Sequence, residues 1–115
     1  MKPNLALLAA LLSVSGVFST PASAEVPGDV AALVAKHCVD CHSGENPEAG
    51  LDLVQLEFDL SDPRAFSTWV RVHDRLEAGE MPPEDAEQPS AEERRAAVGG
   101  LHKPLHAASL ARQKT

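Results

Sequence analysis

Apolar positions recur at helical spacing in three parts of the chain. Val30, Leu33, Val34 and Cys38 fall at i, i+3, i+4 and i+8, which predicts an amphipathic helix opened by Asp29 as N-cap and running into Cys38. The Ser43-Gly44-Glu45-Asn46-Pro47 run ends it, because the residue before a proline avoids the helical region. Phe66, Trp69, Val70, His73 and Leu76 repeat the pattern after Asp62-Pro63, a capping residue followed by a proline at the first helical position, and Gly79 is placed to stop that helix. Ser90-Ala91-Glu92-Glu93 is a capping box for a third helix, a weak one, since Gly99-Gly100 and Pro104 interrupt it. Residues 50–60 read as loop with short extended or 3₁₀ pieces carrying Leu51, Leu53, Leu56 and Leu60. The pattern predicts an all-α chain without internal repeats.

The first 24 residues follow a different rule. Lys2 precedes an apolar run from Leu5 to Phe18, and Ala22-Ser23-Ala24 has the form of an export cleavage sequence. The run falls short of the roughly 20 apolar residues that span a bilayer, so residues 1–24 are expected to be a removed signal rather than a membrane anchor. What remains is one domain, 25–101, followed by a loosely ordered tail, 102–115. The chain of 115 residues has a formal net charge of −7, which disfavours nucleic acid and anionic membranes as partners and suits either plain solubility or a partner with a basic docking patch. Its core is thin. After residue 24 the aromatic side chains are Phe58, Phe66 and Trp69, and a domain this small commonly needs a cofactor or other staple.

The chemistry concentrates in His37-Cys38-Val39-Asp40-Cys41-His42. Two cysteines three apart with a histidine directly after the second form the attachment sequence of a c-type haem. On one helical turn, positions i, i+3 and i+4 share a face, so Cys38 and Cys41 can each add a thiol to a haem vinyl group while His42 reaches the iron. Three other readings compete. A thioredoxin-like pair expects a βαβ setting that the surrounding pattern lacks. A zinc site needs four ligands, which Cys38, Cys41, His42 and another histidine would supply irregularly. A disulfide loop leaves His42 without a purpose. A haem also orients its histidine through the second ring nitrogen, and a backbone carbonyl of the Asn46-Pro47 segment is the expected acceptor.

Met81 is the second informative position. It stands between the helix-ending Gly79 and Pro82-Pro83, on a stiff extended turn, and a thioether opposite His42 would give the His/Met pair that raises haem potential. The expected iron ligands are therefore His42 and Met81. Trp69 is a core anchor whose indole N–H is also able to donate to a haem propionate. His73 lies beside the apolar stripe and reads as a packed or half-exposed residue. His102 and His106, four apart, would share a helical face and bind a metal if the helix continued, but Pro104 between them argues for a solvated tail.

These elements together, with Gly50-Leu51-Asp52-Leu53, Trp69-Val70 and Leu76, and Gly79-Glu80-Met81-Pro82-Pro83, resemble the planctomycete-type cytochrome c domain over roughly residues 27–95. The resemblance implies a small class I cytochrome c-like fold, about three helices wrapped around one covalently bound haem c. It implies thioethers at Cys38 and Cys41, iron ligation by His42 and Met81, and residence in the periplasm or outside the cell, where such haems are attached. Leu51, Leu53, Leu56 and Leu60 would then cover one haem edge or form a small core of their own. The expected function is one-electron transfer to a redox partner protein. No catalytic base or nucleophile is identified, so an electron carrier is expected rather than an enzyme. Alternatives are a haem-binding sensor or accessory module, including a truncated part of a longer exported protein, and a haem-free thiol or zinc protein.

Overall fold

The computed structural model describes residues 10–16 and 24–114. Residues 10–16 are exposed and carry no regular secondary structure; most of the expected export signal, including Ala22 and Ser23, lies outside the described residues. Among the described residues the fold is all-α. It has helices α1 (Gly28–His37), α2 (Pro63–Glu77) and α3 (Ala91–Gln113), a 3₁₀ turn at Glu48–Gly50, and no strand. Among the described residues no helix is long and apolar enough to cross a membrane.

Helix α1 begins two residues earlier than its sequence suggests. Pro27 occupies the N-cap without a side-chain bond, and Asp29 falls in the first turn, where its charge meets the positive helix end instead of capping it. Helix α2 starts as its sequence predicts: the Asp62 side chain accepts from the Arg64 N–H with Pro63 at the first helical position. Gly79, at φ 73°, takes the left-handed turn that ends it.

Helix α3 corrects the sequence reading. It runs unbroken through Gly99-Gly100 and Pro104, so residues 102–113 are helical and not a loose tail. It is also the element on which the others are assembled: α1 and α2 each pack against α3 and not against one another. The two features read as interruptions have packing explanations. A Cβ at Gly100 would stand 3.4 Å from Val30 Cγ2 and 3.7 Å from Pro27 Cβ, so the glycine marks the close crossing of α1 over α3. Pro104 has no N–H to give the Gly100 carbonyl, yet its neighbours Leu101 and Leu105 are buried on the core side and hold the helix on course. Beyond it, Arg112 donates to the Leu60 carbonyl at 3.0 Å and lies 3.8 Å above the Phe66 ring, tying the last turns to the start of α2. At the other end Ser90 and Glu93 form the expected capping box.

Trp69, 1% exposed, is the largest fully buried side chain. It meets Phe58 edge to face with ring centroids 5.1 Å apart and packs in one cluster with Val30, Leu33, Leu76, Ala97 and Leu101. Leu53 is buried in this same cluster, and Leu51, Leu56 and Leu60 pack against it half-buried. The four leucines therefore join the common core rather than a small core of their own.

Candidate haem site

The stretch after α1 keeps one more helical turn. The Cys41 and His42 N–H groups both donate to the Cys38 carbonyl, at 3.3 and 2.9 Å, and this turn sets the two thiols and the imidazole in register. The following loop folds back on the turn. The Glu48 N–H reaches the Cys41 carbonyl at 2.7 Å, and the Leu53 N–H reaches the His42 carbonyl at 2.8 Å. The Ser43 hydroxyl donates to the Val39 carbonyl. Gly44, at φ 84°, makes the reversal possible.

The His42 ring is oriented by this loop. Its Nδ1 lies 3.1 Å from the Glu48 carbonyl; a carbonyl only accepts, so Nδ1 carries the proton and Nε2 keeps its lone pair. The acceptor is thus Glu48, just past the Asn46-Pro47 segment to which the sequence points. A cleft of about 450 Å³ opens here. Cys38, Cys41, His42, Glu48 and Ala49 line it from the motif and its loop, and Met81, Pro82, Pro83, Asp85 and Ala86 line it from the segment after α2. Its volume lies in the range usual for cofactor clefts, about 300–1,000 Å³. His37 closes one corner. Its side chain is buried and its Nε2 stands 3.4 Å from Glu93 Oε2, joining the end of α1 to the start of α3.

Met81 is held by a brace that the sequence does not announce. The Arg75 carbonyl accepts from the Glu80 and Met81 N–H groups at 2.9 and 3.3 Å. Arg94, from α3, donates through Nη1 to the carbonyls of Leu76 and Met81, each at 2.9 Å, and through Nη2 to Gln88 Oε1 at 2.9 Å. Gln88 in turn donates to the carbonyls of Pro82 and Pro83, at 3.1 and 2.8 Å. One guanidinium therefore pins the end of α2, the methionine and the proline loop together. The only hint was an arginine directly after the capping box. Replacing Arg94 by Ala should lower stability by about 1–3 kcal/mol and loosen Met81. Thermal melts and the intensity of the methionine-to-iron charge-transfer band measure the two effects; Arg94→Lys, which keeps the charge but loses the fork, should recover only part of either.

Residues 38–85 match the family model for planctomycete cytochrome C. Over that stretch the chain is similar to planctomycete cytochrome C domains. No curated protein and no solved structure matches the chain. The match begins at the first cysteine and ends past Met81, so it takes in the motif, its loop, α2 and the methionine segment. A cytochrome domain of this family is a haem-binding electron-transfer module, and its haem is covalently attached.

The residues present fit that group. Two thiols, an imidazole with a free Nε2 and a thioether share one cleft. Burial pushes the Cys38 thiol up to about 11, so it stays protonated near neutral pH. Trp69 is the exception among the predicted site residues. It does not line the cleft, and its indole N–H donates to the Glu57 carbonyl at 3.0 Å, so in this structure the side chain serves the core.

Proposed function

We propose that this chain is a mono-haem c-type cytochrome that carries single electrons outside the cytoplasm, with thioethers at Cys38 and Cys41 and iron held between His42 and Met81. The observation that carries the proposal is the His42 ring. Its Nδ1 is committed to the Glu48 carbonyl, which leaves Nε2 for a metal in the same cleft as both thiols and Met81. A haem bound there supplies one-electron cycling between Fe(III) and Fe(II). The protein's part is to orient the imidazole, to present the thioether on a braced loop and to shield the cleft with apolar walls. No group in the cleft is assigned a catalytic acid, base or nucleophile, so the proposed role is that of a carrier.

Charge placement supports a partner with a basic face. Every acidic residue except Glu25, Asp29 and Asp74 lies in residues 37–63 or 76–93, and neither stretch contains Lys or Arg. Those same two stretches supply all the residues that line the cleft. A partner approaching the haem would therefore meet negative charge, and its docking is expected to be small in area and transient. Export rests on the Lys2 to Ala24 sequence pattern and on the extracytoplasmic attachment of such haems.

The test is direct. Protein exported from a host that matures c-type cytochromes should be coloured, give a pyridine haemochrome of the thioether type and weigh one haem more than the processed chain. The reduced protein should show no Soret shift on addition of carbon monoxide. A colourless product at the bare chain mass would remove the haem proposal, and a prompt carbon monoxide shift would replace the carrier by a sensor with an open iron position.

A further inference from the structure

Three of the histidines meet on the α2–α3 face, and none of them lines the haem cleft. Because α3 continues through Pro104, His102 and His106 fall one turn apart with their rings 8° from parallel and centroids 5.7 Å apart. The packing of α2 on α3 brings the His73 ring to 5.9 Å from that of His102. We propose that His73, His102 and His106, with Glu77 beside them, form a second metal site that takes one borderline divalent cation of the zinc(II) or copper(II) class.

His73 is prepared as a ligand. Its Nδ1 is 2.9 Å from Asp74 Oδ1, and since a carboxylate accepts, Nδ1 donates and Nε2 keeps a lone pair. Carboxylate-held imidazoles are the usual outer support of metal-bound histidine, because the contact fixes both tautomer and ring plane. The His73 side chain is only 12% exposed, and its Nε2 is buried without a hydrogen-bond partner. Glu77 Oε2 stands 3.8 Å from that nitrogen, beyond hydrogen-bond reach but close to the separation of two ligands on one cation. A buried acceptor left unpaired is unfavourable, and a cation between Nε2 and the carboxylate would satisfy it.

The donors are imidazole nitrogens and a carboxylate oxygen, without thiolate. That set suits zinc(II) and copper(II) and is unsuited to calcium or magnesium, which prefer oxygen alone. Among the described residues no group of three or more His, Cys, Asp or Glu side chains is placed to hold a metal ion as it stands, so the proposed site forms only when its side chains move together. His102 and His106 are exposed and supply the movement by side-chain rotation. The cation would then clamp α2 to α3, stabilising the fold in proportion to its binding.

The experiment is a zinc(II) titration of the untagged, exported chain against a His102→Gln, His106→Gln double variant, followed by equilibrium dialysis and thermal melting. Both substituted residues are exposed, and circular dichroism of the variant checks that the helices persist. The wild type should hold one equivalent more than the double variant and gain melting temperature with zinc, which the variant should not. Asp74→Asn should weaken that extra equivalent about tenfold, which a purely structural role for Asp74 would not do. Cys38, Cys41 and His42 are intact in both proteins, so metal held there cancels in the comparison whether or not haem is attached. Equal stoichiometry and affinity in the two proteins would overturn the site.

Discussion

Met81→Ala should lower the haem reduction potential substantially and abolish the methionine-to-iron charge-transfer band, while leaving the haem covalently attached. Axial ligands set haem potentials over a range of about 0.8 V, and the exchange of a thioether for water or hydroxide moves the iron toward the low end of it. The thioether, a soft ligand, favours Fe(II), whereas an oxygen ligand favours Fe(III). Met81 is on a segment whose position is set from its flanks, by Arg75, Arg94 and Gln88, so removal of its side chain should not collapse the loop. The oxidised protein should lose the band, and the reduced protein should now bind carbon monoxide. An unchanged potential with the band intact would show that another residue holds the sixth position. Arg94→Ala should fall between the wild type and Met81→Ala in both readouts, because it loosens the ligand without deleting it.

The largest effect on stability should come from Trp69→Ala. Removal of a fully buried tryptophan costs about 3–5 kcal/mol, against a total stability of about 5–15 kcal/mol for a domain. Trp69 is the piece that joins α2 to Phe58 and to the α3 residues Ala97 and Leu101, so its loss opens a cavity on which several elements converge. The melting temperature should fall by about 12 °C or more, if a cooperative transition survives at all. Trp69→Phe separates the two roles of the side chain. It keeps a ring against Phe58 but removes the N–H that satisfies the Glu57 carbonyl, at a cost of about 1–3 kcal/mol. That variant should be less stable with an unaltered haem spectrum and potential. A shifted potential at unchanged stability would restore the propionate role that the hydrogen bond to Glu57 argues against.

Local features of the chain were legible without any structure. Cys38, Cys41 and His42 are set by the reach of one helical turn, and a turn is specified by spacing alone. The same holds for the Asp62-Pro63 start of α2, its stop at Gly79 and the Ser90 capping box, each a contact between residues a few positions apart. Met81 announced itself through its immediate neighbours. Partners distant in sequence were not legible. The link from Arg94 to Met81, the donation from Trp69 to the Glu57 carbonyl and the meeting of His73 with His102 depend on how α2 lies against α3.

Helix α3 shows why local signals can mislead. Gly99-Gly100 and Pro104 weaken an isolated helix, and by propensity alone the segment ends early. In the folded chain Gly100 is where α1 crosses closely, and burial of Leu101 and Leu105 outweighs the proline's missing bond. Sequence by itself pointed to the chemistry proposed for the cleft, because thioether attachment calls for two thiols and an imidazole at fixed short spacing. Only the tertiary structure decided that α3 is the element the others pack on, that Arg94 braces the methionine and that three histidines face one another, since packing energy is shared among residues far apart and no single stretch of chain contains it.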